Sequence, residues 1–148
     1  MITRSLLDRI KDRLNKGKAI VLVGPRQVGK TTLINALLKD ISYLFLDGDD
    51  SVVMDTLSGA NTETLKSIIR EYKYVFIDEV QRIPNIGLKL KIIVDQIKDV
   101  QVIVSGSSVL DIHNLTQEPL TGRKFEFQMF PVSWTEFENN VGYMKAQQ

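Results

Sequence analysis

Gly24-Pro25-Arg26-Gln27-Val28-Gly29-Lys30-Thr31 fills every fixed position of the pattern G-x-x-x-x-G-K-T, between a β-prone run and a helical one. Ala19-Ile20-Val21-Leu22-Val23 is continuously apolar, the signature of a strand buried on both faces. After the loop, Leu33, Ile34, Leu37 and Leu38 recur at helical spacing. A strand, a glycine-rich turn and a helix in this order form a phosphate cradle. Backbone N–H groups converge on an anion there only where no Cβ obstructs the turn, and the helix N-terminus adds its own unpaired donors.

The same alternation runs through most of the chain. Tyr43–Leu46, Tyr74–Ile77, Val100–Val104 and Phe125–Met129 read as four further strands. Leu6, Leu7, Ile10 and Leu14 mark a helix closed by Gly17; Leu65, Ile68, Ile69 and Tyr72 mark another; Ile86, Leu90, Ile93, Val94 and Ile97 mark a third. A short helical turn is expected around Val109-Leu110-Asp111, and Ser133-Trp134-Thr135-Glu136 is a capping box opening a last helix. Strands alternating with helices imply right-handed βαβ units, hence a parallel sheet of five strands with helices on both faces, a three-layer α/β phosphate-loop NTPase fold. In such sheets ligands bind beyond the strand C-terminal ends, where the motifs of this chain are expected to gather.

Composition sets bounds. A chain of 148 residues is one domain, and a formal charge of +1 gives no global pull toward nucleic acid or anionic membrane. The absence of cysteine excludes disulfides, thiolate catalysis and cysteine metal sites. No apolar run reaches the length of a membrane helix, and the N-terminus lacks the apolar core of a signal peptide, so a soluble, cytoplasmic chain is expected. The polar tail after Gly142 is expected to be the cut edge of a longer protein.

The site residues follow from the chemistry of phosphate transfer. Gly24, Pro25, Arg26, Gln27, Val28, Gly29, Lys30, Thr31 and Thr32 would surround the phosphates of ATP, with Lys30 as the point charge at the β- and γ-phosphates. Tyr74–Ile77 delivers Asp78-Glu79 to a strand tip and looks like a Walker B pair: Asp78 and the Thr31 hydroxyl would hold Mg²⁺, and Glu79 would orient and polarise the attacking water. Gln81 could read the state of the γ-phosphate, and Ser107 or Ser108 could cap the following helix. Asp47, Asp49 and Asp50 lack the spacing of a calcium loop and read as a solvated turn. His113 has no matching ligand set, and Trp134 with Phe130 and Phe137 reads as core packing.

Taken together, Gly24–Leu33, Phe76–Pro84 (Phe-Ile-Asp-Glu-Val-Gln-Arg-Ile-Pro), Ser105–Ser108, Leu120–Arg123 and Phe130–Phe137 resemble the prokaryotic AAA family numbered fourteen, and the resemblance spans nearly the whole chain. It implies an ATPase of the additional-strand division, with sheet order 5-1-4-3-2 and, in longer members, a C-terminal domain of nuclease-like fold. It further implies that Ser105 acts as a sensor of the γ-phosphate and that Arg123 acts as an arginine finger in a neighbouring copy of a homo-oligomer. The function so implied is Mg²⁺-dependent ATP hydrolysis coupled to a conformational change in a partner domain. A nucleotide-gated switch with negligible hydrolysis is the alternative. A small-molecule kinase is disfavoured by the Glu79 carboxylate, and a GTPase by the absence of the aspartate that Asn15-Lys16-Gly17-Lys18 would need to read guanine.

Overall fold

The computed structural model describes residues 5–25 and 29–129. The elements run α1 Leu6–Lys11, β1 Ala19–Val23, α2 Lys30–Leu37, β2 Leu44–Asp47, α3 Ser51–Ser58, α4 Thr62–Ile69, β3 Tyr74–Asp78, a 3-10 turn Val80–Arg82, α5 Ile86–Gln96, β4 Gln101–Gly106, α6 Val109–Thr116 and β5 Lys124–Gln128. All five strands are parallel and lie in the order β2-β3-β4-β1-β5. This is the expected order 5-1-4-3-2 read from the opposite edge, with β4 inserted between the strand that leads into the phosphate loop and the strand that carries Asp78.

The central strand β1 is buried at every residue, and its alternating side chains feed two cores. Ile20 and Leu22 join Phe76 and Ile103 beneath α1 and α2, through Ile10, Ile34, Leu37 and Leu38. Val21 and Val23 join Val75, Ile77, Val102 and Val104 beneath the helices of the other face, through Leu57, Leu65, Ile69, Leu90, Ile93 and Ile112. The chain leaves β1 toward the α2 face and leaves β4 toward the α6 face. The crevice between their C-terminal tips is therefore the topological switch point at which open α/β sheets bind ligands.

Several elements depart from the sequence expectation. The first helix stops at Lys11 on an Asp12 cap, and Gly17, at φ 78°, belongs to the loop entering β1. That loop is fastened by buried Gln101, whose Oε1 accepts from the Asn15 N–H at 2.7 Å and whose Nε2 donates to the Lys18 carbonyl at 2.9 Å. The acidic run at 47–50 is more than a solvated turn: Asp50 caps α3 by accepting from the Val52 N–H at 2.8 Å, and α3 itself was not anticipated. Beyond Ser108 the turn grows into the full helix α6. The capping box at Ser133 and the aromatic group Phe130, Trp134 and Phe137 lie outside the described residues.

Candidate functional site

The site begins where β1 ends. The Gly24 N–H donates to the Gly106 carbonyl at 3.1 Å, which ties the mouth of the loop to the tip of β4. Gly29 sits at φ 85°, ψ 26°, a left-handed conformation open to glycine at no steric cost, and from there α2 starts without a side-chain cap. Helix N-terminal N–H groups without such a cap are suited to an anion. Exposed Thr31 and Thr32 occupy the first turn of α2, buried Gly24 and exposed Pro25 enter the loop, and Arg26, Gln27 and Val28 lie outside the described residues.

Lys30 turns inward. It is 6% exposed, its Nζ makes no hydrogen bond among the described residues, and it lies 3.7 Å from Glu79 Oε1. A buried ammonium with unsatisfied donors is costly unless an anion completes its shell. Phosphate oxygens fit that need, and Lys30 thus favours the nucleotide that the loop pattern implies.

Two carboxylates stand across the crevice. Asp78 Oδ1 accepts from the Ser105 hydroxyl at 2.6 Å and from the Glu79 N–H at 2.8 Å. Both bonds land on one oxygen of the carboxylate; an aspartate carboxylate and a threonine hydroxyl such as that of Thr31 are hard oxygen donors of the type Mg²⁺ selects. Among the described residues there is no cluster of three or more histidine, cysteine, aspartate or glutamate side chains that could hold a metal ion. Glu79 is 3% exposed, and its backbone is left-handed at φ 48°, ψ 47°. Its Oε2 accepts from the Ser107 hydroxyl at 3.1 Å and from Gln81 Nε2 at 3.3 Å.

The β4 tip therefore divides its serines among three tasks. Ser105, fully buried, orients Asp78; Ser107 holds Glu79; Ser108 caps α6 by accepting from the Asp111 N–H at 3.3 Å. Ser107 was anticipated only as a helix cap, since nothing in Ser-Gly-Ser-Ser tells which hydroxyl the strand end will aim at a neighbouring carboxylate. Gln81 meets the Glu79 side chain, a contact produced by the 3-10 turn after β3. His113 is exposed on α6.

Arg123 does not join this group. It precedes β5, at the N-terminal end of the sheet, where its carbonyl accepts from the Ala19 N–H at 2.8 Å. The length of β1, roughly 15 Å, separates it from the phosphate loop of its own chain. The expectation that every motif sits at a strand C-terminal end thus fails for this residue. Its Nε donates to Asp95 Oδ1 at 2.8 Å and to Oδ2 at 3.1 Å. That hydrogen bond, reinforced by the charges of Arg123, Lys91 and Lys98, holds the Asp95 carboxyl below the usual carboxylate range and raises the Arg123 guanidinium.

The model of a family described as "AAA domain" matches residues 16–138. Uncharacterized proteins of Mycobacterium tuberculosis and Mycobacterium bovis are each 29% identical over 121 residues, which cover 81% of this chain and 26% of theirs. The chain thus spans about a quarter of the curated relatives it matches. Among solved structures, a Walker-type ATPase of Pyrococcus abyssi superposes with a TM-score of 0.65 at 17% identity, covering 95% of this chain and 57% of that one. The Aeropyrum pernix ORC1 protein, solved in complex with DNA, superposes with a TM-score of 0.64 at 13% identity, covering 90% and 46%. At such identities the two superpositions establish a shared fold. No described helix is long and apolar enough to cross a membrane.

Proposed function

The chain belongs to this AAA-domain family, and from that premise we propose that it binds ATP with Mg²⁺ and hydrolyses it, driving a conformational change in a partner domain. The observation that carries the reading is the convergence of buried Lys30, buried Glu79 and the Ser105–Asp78 pair on one crevice at the strand tips. Lys30 would bind the β- and γ-phosphate oxygens, which replace Glu79 as its anion. The Glu79 carboxylate then accepts a proton from the attacking water. The water oxygen forms a bond to the γ-phosphorus, and the bond from that phosphorus to the β,γ-bridging oxygen breaks. Thr31 and Asp78 would hold Mg²⁺, which when bound would neutralise charge developing on the phosphates. A partner domain is supported by the chain spanning only 26% of its mycobacterial relatives.

A second reading, a nucleotide-gated switch that hydrolyses negligibly alone, is favoured by the engagement of Glu79 with Ser107, Gln81 and Lys30. Single-turnover hydrolysis of ATP separates the two. Under the hydrolytic reading Mg²⁺ and ATP give inorganic phosphate, and Glu79→Gln slows its release about 10²- to 10⁴-fold while ATP remains bound. Equal rates for the two proteins would remove the role of Glu79. Tight binding with no phosphate released by the native chain would establish the switch.

A further inference from the structure

Gly48, the first residue after β2, is buried against the backbone of the residue proposed above as the proton acceptor. Its N–H donates to the Asp78 carbonyl at 2.7 Å, continuing the β2–β3 ladder one step beyond the paired Asp47 and Asp78. A Cβ at position 48 would collide with the Glu79 carbonyl oxygen, and would stand 2.6 Å from the Asp78 carbonyl oxygen and 2.8 Å from the Glu79 carbonyl carbon. No real side chain tolerates such distances, and each opposing atom is backbone, so no rotamer change relieves them.

These contacts have a particular meaning for Glu79. The Asp78 carbonyl belongs to the peptide plane that precedes Glu79, and the Glu79 carbonyl belongs to the plane that follows it. The relative tilt of those planes is the φ, ψ pair of Glu79, which lies in the left-handed region that a glutamate adopts only when its surroundings hold it there. A side chain at position 48 would displace both planes at once, and Gly48 leaves them room while its N–H holds the first. On the far side of Glu79, the 3-10 turn is tied to the same β2 loop by Arg82 Nε, 3.5 Å from Asp49 Oδ1.

We infer that Gly48 is a positioning residue for the Glu79 carboxylate: the absence of a side chain at the end of β2 lets that strand's loop hold the peptide planes that aim the proton acceptor into the crevice. This inference rests on the hydrolytic reading of Glu79. It assigns a role in the reaction to a residue outside both sequence motifs and distant from the phosphate loop in the chain.

The experiment is a double-mutant cycle with Gly48→Ala and Glu79→Gln, read by kcat, KM and fluorescent-nucleotide affinity. Gly48→Ala should lower kcat about 10- to 100-fold, as a displacement near 1 Å at a reacting group does. ATP affinity should stay within about twofold, because Lys30 and the loop are untouched. In the Glu79→Gln background the glycine substitution should cost nothing further, since the group it positions is gone. Arg82→Ala, at an exposed ion pair whose loss leaves the fold intact, should lower kcat about two- to fivefold with unchanged affinity. It decides the matter if the alanine at 48 prevents folding. Full kcat in Gly48→Ala, an equal loss with and without Glu79, or, where that variant does not fold, full kcat in Arg82→Ala, overturns this inference alone. Undiminished turnover in Glu79→Gln overturns the hydrolytic reading and this inference with it.

Discussion

The Lys30 ammonium lies 3.7 Å from Glu79 Oε1, and both side chains are buried. The group that would bind the γ-phosphate is thus paired with the group that would activate water beside it. Nucleotide binding then has a local competitor, because phosphate oxygens and the Glu79 carboxylate seek the same cation.

Removing the cation tests both halves of that relation. Lys30→Ala should weaken ATP binding about 10- to 100-fold, the worth of charge-assisted bonds to phosphate. It should also destabilise the fold, because the buried Glu79 carboxylate loses the cation 3.7 Å from it. Adding Glu79→Gln should restore most of the stability and none of the affinity. Urea unfolding alongside nucleotide titration of the three variants reads the two effects separately, and parallel recovery of both would contradict the assignment.

The serines at the β4 tip should separate by function. Ser107→Ala removes a hydroxyl that donates to Glu79 and should slow hydrolysis about five- to tenfold. Ser108→Ala removes the α6 cap and should cost about 1 kcal/mol of stability with the rate unchanged. Ser105→Ala frees Asp78 from its orienting donor and should raise the Mg²⁺ concentration for half-maximal rate about tenfold or more. Steady-state rates over a Mg²⁺ series, with melting curves for each variant, check all three. Interchanged phenotypes for Ser107 and Ser108 would refute the division.

At the other end of the sheet, Asp95 and Arg123 should act on stability in acid. The Asp95 carboxyl is depressed by the Arg123 hydrogen bond, so the folded state binds its proton more weakly than the unfolded chain does. Its stabilisation is complete above the unfolded carboxylate value, roughly pH 4, and is lost as pH falls through the lower folded value. Unfolding midpoints measured between pH 3 and 7 should show Asp95→Asn less stable at neutral pH and converging on the native chain in acid. Arg123→Ala should leave the hydrolysis rate of a dilute, monomeric sample unchanged, since the guanidinium stands away from its own chain's phosphate loop. A lowered rate there would place it in the chemistry.

Much of this architecture is legible in the sequence because β1, β3 and β4 are buried strands whose apolar runs are broken by polar residues at their ends. Where β3 passes from Ile77 to Asp78, one sequence boundary is also the boundary between core and site. Helix α3 escaped notice because Ser51–Ser58 holds few buried residues and its cap, Asp50, sits in an acidic run that suggests a solvated turn. The links from Ser107 and Gln81 to Glu79 were beyond reach for a different reason. They arise where two strands that are neighbours only in space end side by side, and local spacing carries no trace of that adjacency.

The left-handed backbone at Glu79 places the chain where backbone fit and side-chain chemistry pull in opposite directions. A designer seeking only a hardier protein would choose glycine or asparagine at that position, relieving on the order of 1 kcal/mol of backbone strain. Either replacement would delete the carboxylate proposed as the proton acceptor. Stabilisation schemes that score backbone fit without regard to chemistry should therefore nominate residue 79 early, and should lose more from the buried Lys30 ammonium deprived of this carboxylate than they gain from the relaxed backbone.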